Sequence, residues 1–492
     1  MILQTAPAAP SDPETPVPQL CFDFFDQPIV IQSSNAPLTS DAGLLPVRQF
    51  DERIGCTQQF AAALNDPRDP QLTEHSMLDM VRMRIYGILA NYEDQNDHDT
   101  LRSDPVFKLL ANRSPNDSDL ASQPTLSRFE NAIDVPSFKR LRDMQIDQFI
   151  ASFGTPPLSL TFDIDAVDDP AHGAQQLVLF HGFYEQYQYL PLVITCADND
   201  QVVMISLRHG SAAAALGADD DLEYLVRRVR QAFPGVRIVV RGDAGFGKPH
   251  MYMVGDRLSI DYTYGLTSNP VLQRQTANLL AEAVRRFEET GVPQRLFIGF
   301  WYQAGSWPCA RWVIAKAEAN AQGTNRRFVV SNRPGARVMI QGTYDEYALR
   351  GESENRNKEL KCDLAMDRLS DHRFLANYFR LYLHATAFNL LVRLRREIAN
   401  PPPWEMASPL PAETWTEAER KRYQRMRRQH DPLGEGHPWT WRTLLVKVAA
   451  TVIVSTRRVL VQVSASWPHF HYYRQVTEHV MQRPAIAEAD NG

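Results

Sequence analysis

Two regimes of hydrophobic spacing divide the chain at Pro156-Pro157. From residue 42 to about residue 153, apolar side chains recur every three or four positions, which predicts helices. The units are LLPVRQFDERIG and QQFAAAL, ended by Asn65-Asp66-Pro67, then MLDMVRMRIYGILANY, TLSRFENAI and SFKRLRDMQIDQFIASF. Thr125 or Ser127 is the expected cap of the TLSRFENAI helix. After the prolines the period becomes two. In LSLTFDID, Leu158, Leu160, Phe162 and Ile164 point one way, and Asp163 and Asp165 the other. QLVLFHGF, YLPLVITCAD and QVVMISLR read as further strands, and DDDLEYLVRRVRQAF as a helix broken by Pro234-Gly235. VRIVVRGDAGFG reads as a buried strand ending at Asp243. A helix, the strand SIDYTYGLTS and the helix VLQRQTANLLAEAVRRFEE follow. Four aromatic and β-branched runs then predict strands: RLFIGFWYQ, ARWVIAKAE, RRFVVSN and RVMIQG. Helices are expected over 345–361 and 374–397, with PPPWEMASPLPAE as a linker. The basic helix ERKRYQRMRRQ and the strands TLLVKVAATVIVS and RRVLVQVSA close the pattern.

The element order from residue 158 onward suits an RNase H-like α/β core interrupted by a β-strand-rich insertion. A doubly wound α/β sheet is the alternative that order alone leaves open. The chain has 492 residues, enough for roughly two to four domains. No apolar run approaches the ~18 residues of a membrane span, and the first twenty residues lack the basic and apolar regions of a signal peptide. Five scattered cysteines with no CxxC pair favour a reducing cytoplasm over a disulfide framework or zinc site. Net charge is −6, which by itself speaks against nucleic acid. Its distribution changes that picture. Residues 1–120 carry 18 Asp/Glu against 8 Lys/Arg, whereas residues 331–460 carry 22 Lys/Arg against 15 Asp/Glu. A basic C-terminal surface suits a polyanion.

Three motifs carry candidate chemistry. In YALRGESENRNKELK, helical spacing places Tyr347, Arg350, Glu354, Lys358 and Lys361 on one stripe. Cations around one carboxylate suit phosphate handling near a metal ion, and a solvated face with i,i+4 pairs is the alternative. In RGDAGFG, Asp243 stands where α/β sheets place ligands, at the end of a core strand, or else simply closes an Asx turn. In TFDIDAVDD, Asp163 and Asp165 share one strand face, and Asp168 and Asp169 read as a turn before Pro170. Carboxylates from two strands and a helix suit two divalent ions with open water positions. The glycines form no phosphate loop, so no nucleotide cofactor is expected.

Tyr347-x2-Arg350-x3-Glu354-x6-Lys361 resembles the Y-R-E-K signature of DDE transposases of bacterial insertion sequences, in the superfamily named for insertion sequence 4. Asp243-Ala-Gly-Phe resembles the second-aspartate motif of that superfamily. DIDAVDDPAHGAQQ, residues 121–131, ANYEDQNDHDTLRSDP and NRNKELKCDLAMDRLS are similar to the family numbered 1380 within it. The resemblance spans about residues 38–465. It implies Asp165, Asp243 and Glu354 as catalytic metal ligands for two Mg²⁺ ions, with Mn²⁺ as a substitute. Asp163 is the alternative first ligand, because Val167 stands where Thr or Ser is usual. Tyr347, Arg350 and Lys361 are implied to grip DNA near the cut, and Arg128 to contact it from the PTLSRFENA helix. Trp301, Trp307 and Trp312 are candidates for stacking on unpaired bases, with core packing as the alternative.

The implied organisation is a flexible arm and short strand (1–37), a helical DNA-end-binding domain (38–156) and an RNase H-like core in two parts (157–294 and 341–400). The parts flank the β-rich insertion (295–340), and a linker with a small basic C-terminal region (401–492) follows. The implied function is cut-and-paste transposition. Terminal inverted repeats are bound, the element ends are cleaved by metal-ion hydrolysis, and the 3′-hydroxyls are joined to target DNA, with hairpin ends as the expected route. The expected partners are double-stranded DNA and a second copy of the chain in the synaptic complex, in the bacterial cytoplasm at the nucleoid. A domesticated DNA-binding descendant, or an RNase H-like nuclease without strand transfer, is the competing class.

Overall fold

In a computed structural model, residues 20–22, 26, 27, 29–31, 36–401 and 417–482 are described. Most of the expected N-terminal arm and nearly all of the PPPWEMASPLPAE linker lie outside them. The alternating segments assemble into one eight-stranded mixed sheet. Its strands are β1 (Ser159–Ala166), β2 (Leu192–Cys196), β3 (Val202–Ser206), β4 (Arg237–Gly242), β5 (Asp261–Leu266), β6 (Gln294–Tyr302), β7 (Arg311–Asn320) and β8 (Gly323–Ser331). The spatial order is β6-β7-β8-β5-β4-β1-β2-β3. β4 lies parallel to both β1 and β5, and every other pairing is antiparallel. The run β3-β2-β1-β4-β5 is consistent with an RNase H-like core. β6 to β8 continue the same sheet, with β8 hydrogen-bonded to β5.

The face of β1 carrying Leu160, Phe162 and Ile164 is fully buried, together with Ile146 and Phe149 of the helix Val135–Ala151 and the apolar stripe of Ala218–Ala232. A second core joins the N-terminal helices to Phe374–Ile398 and to the C-terminal segment. Leu38–Thr39 pairs with Ala450–Val454, so the two ends of the described chain share a small sheet. Glu130 locks this core. Its carboxylate, with no side-chain exposure, accepts from Arg84 at 2.6 Å and from Arg380 at 2.5 Å, tying three helices together. Burying one carboxylate between two guanidiniums is tolerable only because each charge is paired.

Several local expectations change. RVMIQG is not a strand. Residues 334–337 form a 3₁₀ turn and Ile340–Ala348 a helix. The expected helix 345–361 is split between Ile340–Ala348, Gly351–Lys358 and a π-helical turn, Glu359–Asp363. The break falls at residues 349–350, just ahead of Gly351, and glycine is a poor helix former. The 270–290 helix breaks at Thr276, whose hydroxyl donates to the Leu272 carbonyl, a local bond that competes with the helix ladder. The N-cap position of Gln123–Asn131 is Ser122, ahead of Thr125 and Ser127, because Pro124 fits only the first turn; the Ser122 side chain makes no capping bond to the backbone. The strand expected over TLLVKVAATVIVS begins only at Ala450; residues 442–446 form a π-helical turn.

Candidate active site

The parallel pairing of β4 with β1 places two of the expected aspartates. Gly242 is the partner of Ile164, so Asp243 falls level with Asp165 at the same sheet edge. The turn after β4 is held by Gly245 N–H, which donates to Asp243 Oδ1 at 2.8 Å. It presses against β5 so closely that a Cβ on Gly265 would lie 2.7 Å from Ala244 N and 2.9 Å from the Tyr347 hydroxyl. Glycine at 265 therefore sets how near the Asp243 turn and Tyr347 come.

Asp163 and Asp165 share a strand face and have different fates. Asp163 is fully buried and paired bidentately with Arg241, at 2.6 Å to Oδ1 and 2.8 Å to Oδ2. Arg241 is its register partner on β4. Arg356 adds a second guanidinium at 3.9 Å. Asp165 has no such partner. Its Oδ2 accepts from Asn357 at 2.8 Å, and Arg350 stands 3.7 Å away. The same guanidinium lies 3.6 Å from the exposed Glu354. Burial pushes the Asp165 carboxyl up to about 6; Arg350 opposes that rise, while the charges of Asp243 and Glu354 add to it. Asp165, Asp243 and Glu354 thus feel one another electrostatically, with Arg350 between the first and the last.

The other expected residues divide. Tyr347 is half-buried on Ile340–Ala348, a different helix from Glu354, and reaches the Asp243 turn and Arg350. Lys361 sits in the π turn, and its ammonium donates to the Asp168 carbonyl at 2.8 Å and carboxylate at 3.0 Å. Asp168 is thus more than a turn residue. Arg128 is exposed on Gln123–Asn131 and donates to Thr125 Oγ1; no hydrogen bond or ion pair links it to the acids. Trp307 is buried in the core, and Trp312 donates its indole N–H to the Ala336 carbonyl. Trp301 is about half exposed, with Arg337 over its ring.

Arg241, Arg356 and Asn357 were not foreseen. Asn357 and Arg356 do lie within one turn of Glu354, the one signal the chain offered. Tyr184 was missed too. Burial raises its hydroxyl pKa, and the charges of Asp168, Asp165 and Asp243 add to the rise.

An all-carboxylate donor set under mutual repulsion fits a hard divalent cation such as Mg²⁺. Among the described residues no three His, Cys, Asp or Glu side chains are drawn together at ligand spacing; Arg350 stands within the set instead. The family described as transposase DDE domain, group 1, matches residues 23–409, most of the chain. The chain belongs to that family. No curated protein matches it. Membership makes it a transposase of the DDE class, a family that works on DNA and generally uses divalent metals such as Mg²⁺. No described helix of this transposase is long and apolar enough to cross a membrane.

Proposed function

We propose that this transposase cuts and pastes a bacterial insertion sequence of the insertion sequence 4 superfamily, family 1380, with Asp165, Asp243 and Glu354 as its catalytic carboxylates. The observation that carries the reading is the register of β1 and β4. It sets Asp165 level with Asp243, under a helix that brings Glu354 to the same edge. The three carboxylates would hold two Mg²⁺ ions, which would supply Lewis-acid stabilisation of the charge that develops as the phosphodiester is cleaved. Arg350 offers a planar fork to a phosphate once the carboxylates have another counter-charge. Arg241 holds Asp163 out of the ligand set, leaving Asp165 as the first ligand. Asn357 steadies Asp165, and Lys361 braces the Asp168 loop that follows it. Tyr347 and Lys361 grip the transposon end beside the cut.

In this reading residues 38–156 recognise the terminal inverted repeats, with Arg128 at the DNA, and the basic segment after residue 401 contacts phosphates. The protein acts in the cytoplasm, as a dimer that brings two ends together; each freed 3′-hydroxyl closes a hairpin by attacking the opposite strand, water reopens the hairpin to regenerate it, and the 3′-hydroxyl is then joined to target DNA. The test is plasmid excision of the element with Mg²⁺ or Mn²⁺ supplied. Asp243→Asn and Glu354→Gln are each expected to abolish cleavage while end binding persists. Normal excision by either variant would sink the assignment, and Asp163→Asn set against Asp165→Asn identifies the first ligand by the dead variant.

A further inference from the structure

Just beyond Asp165 the chain enters a small antiparallel sheet of Asp169–Pro170, Leu179–His181 and Gln186–Tyr189. Its base is fixed. Gly210 N–H donates to the Leu177 carbonyl at 3.1 Å, and a Cβ at Gly210 would fall 1.9 Å from the Gln188 carbonyl oxygen. The Tyr189 hydroxyl donates to the Gln176 carbonyl at 2.6 Å. The turn is closed by Glu185 N–H to the His181 carbonyl at 2.8 Å. From this base the hairpin holds rings out into solvent. Phe180 and Tyr187 are cross-strand partners, 5.5 Å apart and 50% and 63% exposed, and Phe183 at the turn is 82% exposed. Leaving such a ring wet forgoes ~1.5–3 kcal/mol of burial, so these rings do little for the fold. The rings continue from Phe183 to Tyr184 at 5.1 Å, and on the same hairpin Gln186 Nε2 donates to Asp168 Oδ2 at 3.4 Å, three residues beyond Asp165.

We propose that this hairpin is a stacking platform for unpaired bases next to the phosphodiester held at Asp165 and Asp243, with Phe183 and the Phe180–Tyr187 pair supplying the rings. The inference rests on the nuclease reading above. Residues 177–189 contain no Lys or Arg, so the hairpin has no full cation to pair with a phosphate backbone. Base faces are the nucleic-acid surface that bare rings recognise, with little dependence on sequence. The exposed Trp301 is not an equivalent candidate. The paired residues Asp163, Arg241, Thr263, Ser331, Trp312 and Trp301 cross five strand spacings, ~24 Å at ~4.8 Å each, so it stands well away from the acids.

The experiment compares, by anisotropy in EDTA, a blunt labelled duplex with the same duplex carrying unpaired nucleotides at one end. The full-length protein is expected to prefer the forked duplex by about tenfold, as one or two stacked bases would give. Phe183→Ala/Tyr187→Ala should lose that preference while holding the blunt duplex as before. Phe183→Trp should keep the preference and Phe183→Leu should not, which separates stacking from mere apolarity. Equal affinity of the unaltered protein for both duplexes, or an undiminished preference in the double variant, overturns the platform and leaves the nuclease reading standing. A fall in the double variant's own mass by light scattering would assign the rings to a contact between copies and overturn it too. Failure to bind either duplex would bring down both readings.

Discussion

Asp165, proposed above as a catalytic carboxylate, shows what burying such a group costs the fold. Its pKa is raised from 3.8 to about 6, chiefly by burial. Unfolded, the group ionises near its ordinary value, so the folded state holds a proton that the unfolded state has released. Stability is therefore lost as pH rises from about 4 to about 6, and above that the loss is complete. At ~1.4 kcal/mol per pH unit between the two values, the cost at pH 7 is on the order of 3 kcal/mol. Asp165→Asn should accordingly melt at a higher temperature than the parent at pH 7 and at nearly the same temperature at pH 4, while cleavage is lost. Thermal melts at the two pH values check this; a variant no more stable at pH 7 would contradict it. Divalent ions need the carboxylate form, so Mn²⁺ affinity measured by calorimetry should fall away as pH drops below about 6.

At the scale of elements, the site depends on how closely a turn, a strand and a helix approach. The Y-R-E-K residues do not share one helix. Tyr347 closes the first, Glu354 rides on the second, and Lys361 belongs to a π turn that points it at Asp168. Of the three, the Tyr347 helix meets the core strands: Arg241 of β4 donates to the Glu346 carbonyl, and the Tyr347 hydroxyl lies against Gly265 of β5. Gly265 is where that packing is tightest, since its missing side chain admits both the Asp243 turn and the Tyr347 ring. Gly265→Ala must push one of them away, and because misplacing a catalytic group by ~1 Å can cost ~100-fold, excision should fall by about that factor. The same variant should lose only about 1–3 kcal/mol of stability by denaturant titration, the usual cost of overpacking. Full excision activity would show that the turn yields without moving Asp243.

At the scale of the whole molecule, the two ends of the described chain share a core, and the acidic edge lies on the far larger sheet. Since inverted repeats suit two-fold symmetry, the active species on DNA should be at least a dimer. Light scattering of the end complex checks this, and an active monomer on one end would contradict it. Local sequence determined much of the molecule. The period of two in LSLTFDID placed Asp163 and Asp165 on the polar face of a core strand, and the apolar run before Asp243 ended a strand at that residue. Resemblance to the Y-R-E-K signature, rather than spacing alone, singled out Glu354. These features are local, because side-chain direction and strand ends follow from the backbone period. Tertiary structure decided the rest. Whether Asp163 or Asp165 stays available depends on Arg241, 78 positions away and brought level with Asp163 only by strand register. Arg350 between two acids and Asn357 on Asp165 depend likewise on distant segments meeting. Periodicity shows which face a residue takes, but not which residue another strand sets opposite it.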